Sequence, residues 1–411
     1  MTISIKELTN HSYVDHQLSA TLDSTEAFEG PEKLLEIWFY CDKNHIPANP
    51  NGQKLTLRDI PVETWIQILN LVKCEILSIK DTPVMNAFLL SESSLFVYDH
   101  RLILKTCGTT TTLLCLPYLF EVLERDLGWS FRCGKDKCGD NKDKFEPYKV
   151  FYSRRAFMFP SKQKSIHKNW ADEVEYLNNF FCNGKAYVVG RYDKGKHWNL
   201  FVTDTKKAEQ MGIVKEEEDE TLEILMTGLK PSCAEQFVSN RTINSEQEVC
   251  DKKPEEAADD EGHLLGSNMT EQTGLNKIYQ CTDKSDSFVH DAFAFSPCGY
   301  SSNMILDNEY YYTLHVTPEK GWSYASFESN VPVTSISDDR QDNIEVLNKV
   351  LNVFQPNEFC LTFFAKSEKN MNFQKLLNIS KMIPHYQKHD KIIYDLEDYQ
   401  LLYMRFERKD N

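Results

Sequence analysis

The chain has 411 residues, with 62 acidic against 46 basic side chains and a net charge of −16. That length buries a large core and allows two or three ordinary domains or one large α/β domain, while the acidic balance disfavours nucleic acid or an anionic membrane as partner and favours a cationic ligand. The 12 cysteines form no repeating framework, Cys133 and Cys138 have no second pair at zinc-ribbon spacing, the first residues hold no apolar signal core, and no apolar run reaches the roughly eighteen residues of a membrane span; free thiols in a cytoplasmic protein are expected.

Residues 1 to about 26 are polar and fix no structure. Pro31, Glu29 and Glu32, followed by Leu34, Leu35 and Trp38, predict an amphipathic helix. A polar loop with Pro47, Pro50 and Gly52 leads to a second helix, in which Trp65, Ile66, Leu69 and Val72 share a face, and then to a strand over 75–79. Residues 87–98 and 101–106, joined at Asp99-His100, read as a tight antiparallel hairpin that sets Ser93 and Cys107 on neighbouring strands. Apolar spacing from Thr109 to about Leu127 predicts a helix kinked or broken at Pro117. The loop around 133–147 is charged and contains glycine, as a surface insertion would.

A strand at 151–154, a helix through Trp170, Val174, Leu177 and Phe181, and strands over 186–191 and 198–203 follow. Acidic Glu216 to Glu218 read as a solvated run before an apolar stretch. Residues 235–286 are poor in large apolar groups and are expected to form a mobile acidic insert. Strands return at 293–295, 310–316 and 323–328. A helix over 344–354 then precedes strands near 359–364, 391–394 and 401–406. Helices and strands mix without the regular alternation of a doubly wound sheet, and no nucleotide glycine fingerprint is present, so the fold class is α+β with antiparallel sheets.

Within this pattern the polar step Ser91-Glu92-Ser93-Ser94 interrupts an apolar β-run. A serine hydroxyl held against the preceding carbonyl carbon can attack it and turn an amide into an ester. Twelve residues after Ser93 the segment Lys105-Thr106-Cys107-Gly108-Thr109-Thr110 begins. Further on come Phe295-Ser296-Pro297-Cys298-Gly299-Tyr300-Ser301 and Leu314-His315-Val316-Thr317-Pro318-Glu319. With Phe28-Glu29-Gly30-Pro31-Glu32-Lys33-Leu34-Leu35-Glu36 near the start, these blocks closely resemble the eukaryotic S-adenosylmethionine decarboxylase proenzymes. The resemblance runs from about Ala27 to about Phe364.

The resemblance implies a four-layer α/β/β/α sandwich built from two similar halves, although no internal duplication is visible in the sequence. It implies one domain over 1–411 that cuts itself between Glu92 and Ser93. The products would be a β chain 1–92 and an α chain 93–411, paired as a dimer of αβ units. Decarboxylating an amino acid needs an electron sink. A phosphate cradle for pyridoxal phosphate is not found, and the resemblance implies that Ser93 instead becomes a pyruvoyl group, which binds S-adenosylmethionine as a Schiff base. No metal is required. Decarboxylated S-adenosylmethionine is the aminopropyl donor for spermidine and spermine.

By the same resemblance His315 is the processing base and Ser301 assists it, while Cys107 protonates the substrate carbon, a task within reach of a thiol. Glu29 and Glu32 match active-site acids, Phe28 and Phe295 the pair around adenine, Leu90 a substrate contact, and Glu319 the acceptor for the ribose hydroxyls. Glu36, Lys105, Phe151, Asp219, Thr221, Glu223, Glu328 and Phe364 match a putrescine site, making putrescine an expected activator. Two other readings stand beside this one: a catalytically inactive regulatory relative, and a hydrolase with Cys107 as nucleophile and His315 as base.

Overall fold

The computed structural model describes residues 13–14, 32–49, 51–132, 144–157, 159–203, 219–239, 261–280, 288–337, 340–366, 370–379, 383–396 and 399–409. They fall into two compact units, one within 28–218 together with 392–403, the other within 219–391 together with 404–411.

The first unit carries a nine-stranded sheet. A two-residue strand β1 (Tyr13–Val14) lies at one edge, followed by β2 (Lys33–Trp38), β3 (Ile76–Asp81), β4 (Met85–Leu90), β5 (Ser93–Tyr98), β6 (Arg101–Thr106), β7 (Lys149–Arg155), β8 (Gly184–Arg191) and β9 (Lys196–Thr203) in chain order. Their order in space is β1-β3-β4-β5-β6-β2-β7-β9-β8, and the pairings from β3 through β8 are antiparallel. Strand side chains alternate between faces. Leu35, Ile37, Leu95, Val97, Leu102, Leu104, Val150 and Tyr152 form one core with Trp65, Leu69, Leu119 and Leu177 from helices α1 (Val62–Val72), α2 (Leu116–Val122) and α3 (Trp170–Phe180). Each such side chain, fully buried, contributes about 1.5–3 kcal/mol.

A second sheet, of eight strands, has β10 (Glu220–Thr227), β11 (Val289–Ala294), β12 (Tyr300–Leu306), β13 (Tyr310–Thr317), β14 (Tyr324–Ser329) and β15 (Glu358–Ala365) from the second unit, with β16 (Tyr386–Leu396) and β17 (Tyr399–Arg408), whose residues 392–403 count with the first; the order is β11-β12-β13-β14-β10-β15-β17-β16. The helices of the second unit are α4 (Glu261–Thr273), α5 (Asn343–Phe354) and α6 (Met371–Leu377). Leaving β1 aside, the two eight-strand orders are the same permutation. In each, the first strand of the unit is inserted between the fifth and the sixth. The duplication that the sequence hides is therefore present in the topology, and the fold class is α+β with two antiparallel sheets carrying helices.

Four expectations are corrected. Lys33–Trp38 is a strand, not a helix: Leu34, Leu35 and Trp38 satisfy helical spacing, but the segment pairs along its whole length with β6 on one side and β7 on the other, and such non-local pairing overrides local preference. Residues 87–98 are two strands, because the chain reverses at Ser91-Glu92. Pro117 occupies the first turn of α2, where its missing N–H costs nothing, so it starts a helix instead of kinking one.

The fourth correction concerns residues 235–286, expected to be a mobile insert, which contain α4. This helix packs on β11 so closely that a Cβ on Gly266 would lie 2.6 Å from the backbone of Ala292. Its buried positions are Gly262, His263, Gly266, Met269 and Thr270, so it shows no apolar stripe. Residues 240–260 and 281–287 lie outside the described residues, as do Glu216 to Glu218 and most of the 133–147 loop. Cys182 is disulfide-bonded, which departs from the expectation of free thiols. The other seven described cysteines are thiols outside any disulfide, as expected.

Candidate active site

The hairpin of β4 and β5 turns in two residues, Ser91 and Glu92, with Leu90 and Ser93 as the last register pair. Ser91 ties this turn to the start of β3: its N–H donates to the Glu75 carbonyl at 2.9 Å, and its hydroxyl accepts from the Glu75 N–H at 3.0 Å. Glu92 is left-handed at φ 55°, a conformation costing about 1–2 kcal/mol for a residue with a Cβ. The equivalent turn of the second unit, between β12 and β13, uses Asp307 and Asn308 at φ 51° and 61°, residue types that tolerate this region. Backbone strain thus sits at the carbonyl that precedes Ser93.

Ser93 is fully buried. Its hydroxyl oxygen faces the Cys74 thiol at 3.5 Å and the Cys107 N–H at 3.4 Å, while the Cys107 thiol donates to the Glu92 carbonyl oxygen at 2.5 Å. Burial pushes the Cys74 thiol up to about 12 and raises Cys107 well above the usual thiol range, with Glu92 and Glu32 adding to the Cys107 shift and Lys33 opposing it. Both sulfurs therefore keep their protons at neutral pH and act as donors.

Cys107 follows β6, and the turn behind it is fixed from β2 and by its own threonine. The buried Lys33 ammonium donates to the Gly108 carbonyl at 3.0 Å and to the Thr110 hydroxyl at 3.3 Å. Gln163 reaches the same carbonyl at 3.1 Å, and the Thr110 hydroxyl donates to the Cys107 carbonyl at 2.7 Å. Desolvation lowers Lys33 from 10.5 to about 8, with Glu173 and Cys107 partly offsetting it. Glu173 in turn accepts from Tyr152 and Arg154, both at 2.6 Å, and lies 2.7 Å from His167 Nδ1. On the opposite face of β2, Glu32 forms a buried ion pair with Lys105 at 3.0 Å.

In the second unit Ser301 on β12 and His315 on β13 are register partners. The Ser301 hydroxyl is 2.9 Å from His315 Nδ1, and His315 Nε2 is 3.3 Å from the Thr313 hydroxyl. Thr313 donates its one proton to the Ser302 carbonyl at 2.9 Å, which leaves its oxygen to accept from Nε2–H. This assignment makes Nδ1 the basic nitrogen, aligned on Ser301.

A protein-family model described as adenosylmethionine decarboxylase matches residues 25–407. The chain belongs to the adenosylmethionine decarboxylase family. It is 58% identical to the S-adenosylmethionine decarboxylase proenzyme of Saccharomyces cerevisiae over 412 residues, covering 100% of both chains. Identity is 33% to the Xenopus laevis proenzyme, over 92% of this chain and 95% of that one, and 34% to the Caenorhabditis elegans proenzyme, over 99% and 95%. The crystal structure of a Trypanosoma brucei AdoMetDC-delta26 monomer superposes with a TM-score of 0.51 at 21% identity, covering 77% of this chain and 99% of that chain. It shares the fold.

Against the family's expected residues, Glu92, Ser93, Cys107, Lys105, Glu32 and Leu90 gather in the first unit around one hairpin, and Ser301 and His315 form one pair in the second. Phe28 and Glu29 lie outside the described residues. Phe295 is buried edge-to-face on Phe293, with centroids 4.9 Å apart, and Glu319 is half-buried beyond the end of β13. Within the first unit Glu36 is opposite Phe151. Within the second, Glu223 is opposite Glu328, and Thr221 is opposite Phe364. Glu328 accepts from the Tyr311 hydroxyl at 2.7 Å, and Glu223 from the Thr362 hydroxyl at 3.2 Å.

Sequence reasoning missed Cys74, Lys33, Gln163 and Tyr311. None of the four carried a local signal: Lys33, for one, is the first residue of β2 and follows the acidic Glu32.

Proposed function

We propose that the chain is a self-processing S-adenosylmethionine decarboxylase that makes the aminopropyl donor for spermidine and spermine. The observation that carries this is the strained Glu92–Ser93 junction, with Ser93 fully buried and the Cys107 thiol 2.5 Å from the Glu92 carbonyl oxygen. In maturation Ser93 Oγ bonds to the Glu92 carbonyl carbon as the amide C–N bond breaks, giving an ester. Charge develops on the carbonyl oxygen, where the Cys107 S–H is already aimed. His315, oriented by Ser301 and Thr313, takes the Ser93 α-proton. The Cβ–Oγ bond then breaks and expels the Glu92 carboxylate. The dehydroalanine left behind takes up water and releases ammonia.

The pyruvoyl group so produced supplies the carbonyl electron sink on which decarboxylation depends, and neither metal nor pyridoxal phosphate is needed. Cys107, kept protonated by burial, delivers a proton to the substrate α-carbon. Phe28 and Phe295 hold the adenine, Glu319 takes the ribose hydroxyls, and Leu90, Glu29 and Glu32 complete the substrate's surroundings. Putrescine activates through Glu36, Lys105, Phe151, Asp219, Thr221, Glu223, Glu328 and Phe364. Paired carboxylates such as Glu223 and Glu328 support this, since adjacent acids favour a cation between them. The processed units work as a cytoplasmic dimer of αβ units. Among the described residues no helix is long and apolar enough to cross a membrane.

Intact-protein mass, read with carbon dioxide release from S-adenosylmethionine, tests the reading. Two chains are expected, of 92 and 411 − 92 = 319 residues, the larger lighter by one ammonia than a chain that starts with serine. A single uncut chain that still releases carbon dioxide would overturn it.

A further inference from the structure

The strand face that carries Glu36 holds a lysine the family comparison does not account for. Lys149 is the register partner of Trp38 and is only 3% exposed. Its ammonium lies 3.8 Å from the ring centroid of Tyr399, 5.3 Å from Trp38, 5.4 Å from Phe151 and 5.6 Å from Tyr148, and it donates to the Tyr399 hydroxyl. Four aromatic faces around one ammonium are the surroundings in which proteins recognise a free amine.

The acid beside this box is joined to it. Glu36 accepts from Trp38 Nε1 at 2.6 Å and lies 4.0 Å from Arg101. Arg101 covers the same Trp38 ring at 4.1 Å. Trp38 therefore touches Lys149, Arg101 and Glu36 at once. Packing alone would not select Lys149, because burying an ammonium costs far more than burying an aliphatic side chain of equal length. Its neighbour on the strand face, Phe151, is one of the walls assigned above to putrescine.

We propose that Lys149 is a tethered amine filling part of the diamine site. Its ammonium occupies the aromatic wall that one end of putrescine would otherwise take, so the chain supplies one cation of its own and a free diamine completes a site already partly filled. Lys149 is then the residue that sets how strongly the protein responds to amines. This inference rests on the diamine-site reading above.

Self-cleavage and turnover are to be measured over a putrescine series, and separately with n-propylamine, in wild type, Lys149→Met and Lys149→Arg. Removing the charge while keeping the stem is expected to lower the amine-free rates by about tenfold, the equivalent of one cation–π contact. Either amine should restore them, so that the Met variant is stimulated more than wild type, while the Arg variant stays close to wild type. Should Lys149→Met fail to fold, Lys149→Gln takes its place.

A folded Met or Gln variant with unchanged amine-free rates and an unchanged putrescine midpoint would overturn the proposal. So would a loss that no amine restores, since Lys149 would then only prop the fold. A wild type indifferent to putrescine beside a variant rescued by propylamine would support the tethered amine and sink diamine activation of the wild type. A responsive wild type beside an unchanged variant would do the reverse.

Discussion

The Cys107 thiol and the Glu92 carbonyl oxygen lie 2.5 Å apart, so the group proposed to protonate substrate carbon during turnover also touches the bond proposed to break during maturation. In this proposal one proton on one sulfur serves both steps, and burial keeps it there by raising Cys107 well above the usual thiol range. The two roles differ in what they demand. Maturation needs a hydrogen-bond donor, whereas turnover needs an acid that gives its proton away.

Cys107→Ala and Cys107→Ser separate these demands. The alanine variant should still be cut, at a rate lowered by about tenfold for one lost bond to the developing oxyanion, and should lose about 10²–10⁴-fold in turnover. Serine keeps a donor but is a far weaker acid, so it should be cut near the normal rate and still turn over poorly. Electrophoretic time courses read the first step and carbon dioxide release the second. A fully active Cys107→Ala protein would show that another group protonates the carbon.

Ser93→Ala removes the nucleophile and the source of the electron sink together. One uncut chain without decarboxylase activity is expected on a denaturing gel. Fragments of about 92 and 319 residues from this variant, the lengths set by a cut after Glu92, would move the scissile bond elsewhere.

Much of this site is legible in the sequence because the chemistry travels in short blocks. Ser93, Cys107, Ser301 and His315 each sit in a segment that can be matched without knowing the fold. What is not legible depends on pairing. Lys33 meets Gly108 across 75 residues and Lys149 meets Tyr399 across 250, and no local pattern marks either partner. The reversal at Ser91-Glu92 carries no glycine or asparagine, because here the turn uses an unsuited residue in a left-handed conformation, and strain of that kind at a functional bond defeats turn rules. Helix α4 escaped because its buried face is built from glycine, histidine, threonine and a single methionine. The repeated strand order of the two units has no trace in residue identities, since a sheet face asks only for apolar alternation.

The burial of Lys33 predicts a pH dependence of stability. Its folded value is about 8 against an ordinary 10.5. Below about pH 8 both folded and unfolded chains hold the proton, and the cost of burying it is present in full. Between about 8 and 10.5 the unfolded chain binds the proton and the folded one does not, so this residue's contribution to stability rises with pH. The full range corresponds to about 3 kcal/mol. Lys33→Met removes the titration, and Gln163 still donates to the Gly108 carbonyl. Thermal midpoints in the Ser93→Ala background, where uncut chains are compared, should show wild type gaining on Lys33→Met between pH 7.5 and 9.5. A difference that stays flat would mean that Lys33 titrates at its ordinary value.

The last prediction concerns the acids of β10. Glu220 is buried with Asn343, Asn370 and Asn372, whose amides donate to its carboxylate at 3.3, 2.8 and 2.9 Å. Strand alternation therefore turns Thr221 and Glu223, and Asp219 just before the strand, to the other face, where Glu223 stands opposite Glu328 in the register. Carboxylates gathered in this way repel one another, and a cation relieves the repulsion. Putrescine should speed both self-cleavage and decarboxylation in wild type. Asp219→Asn should raise the putrescine concentration needed for half the effect by about tenfold or more, the equivalent of one charged hydrogen bond. Processing and turnover are to be measured with and without putrescine in both proteins. Equal rates in every arm would remove the diamine site while leaving the chemistry at Ser93 untouched.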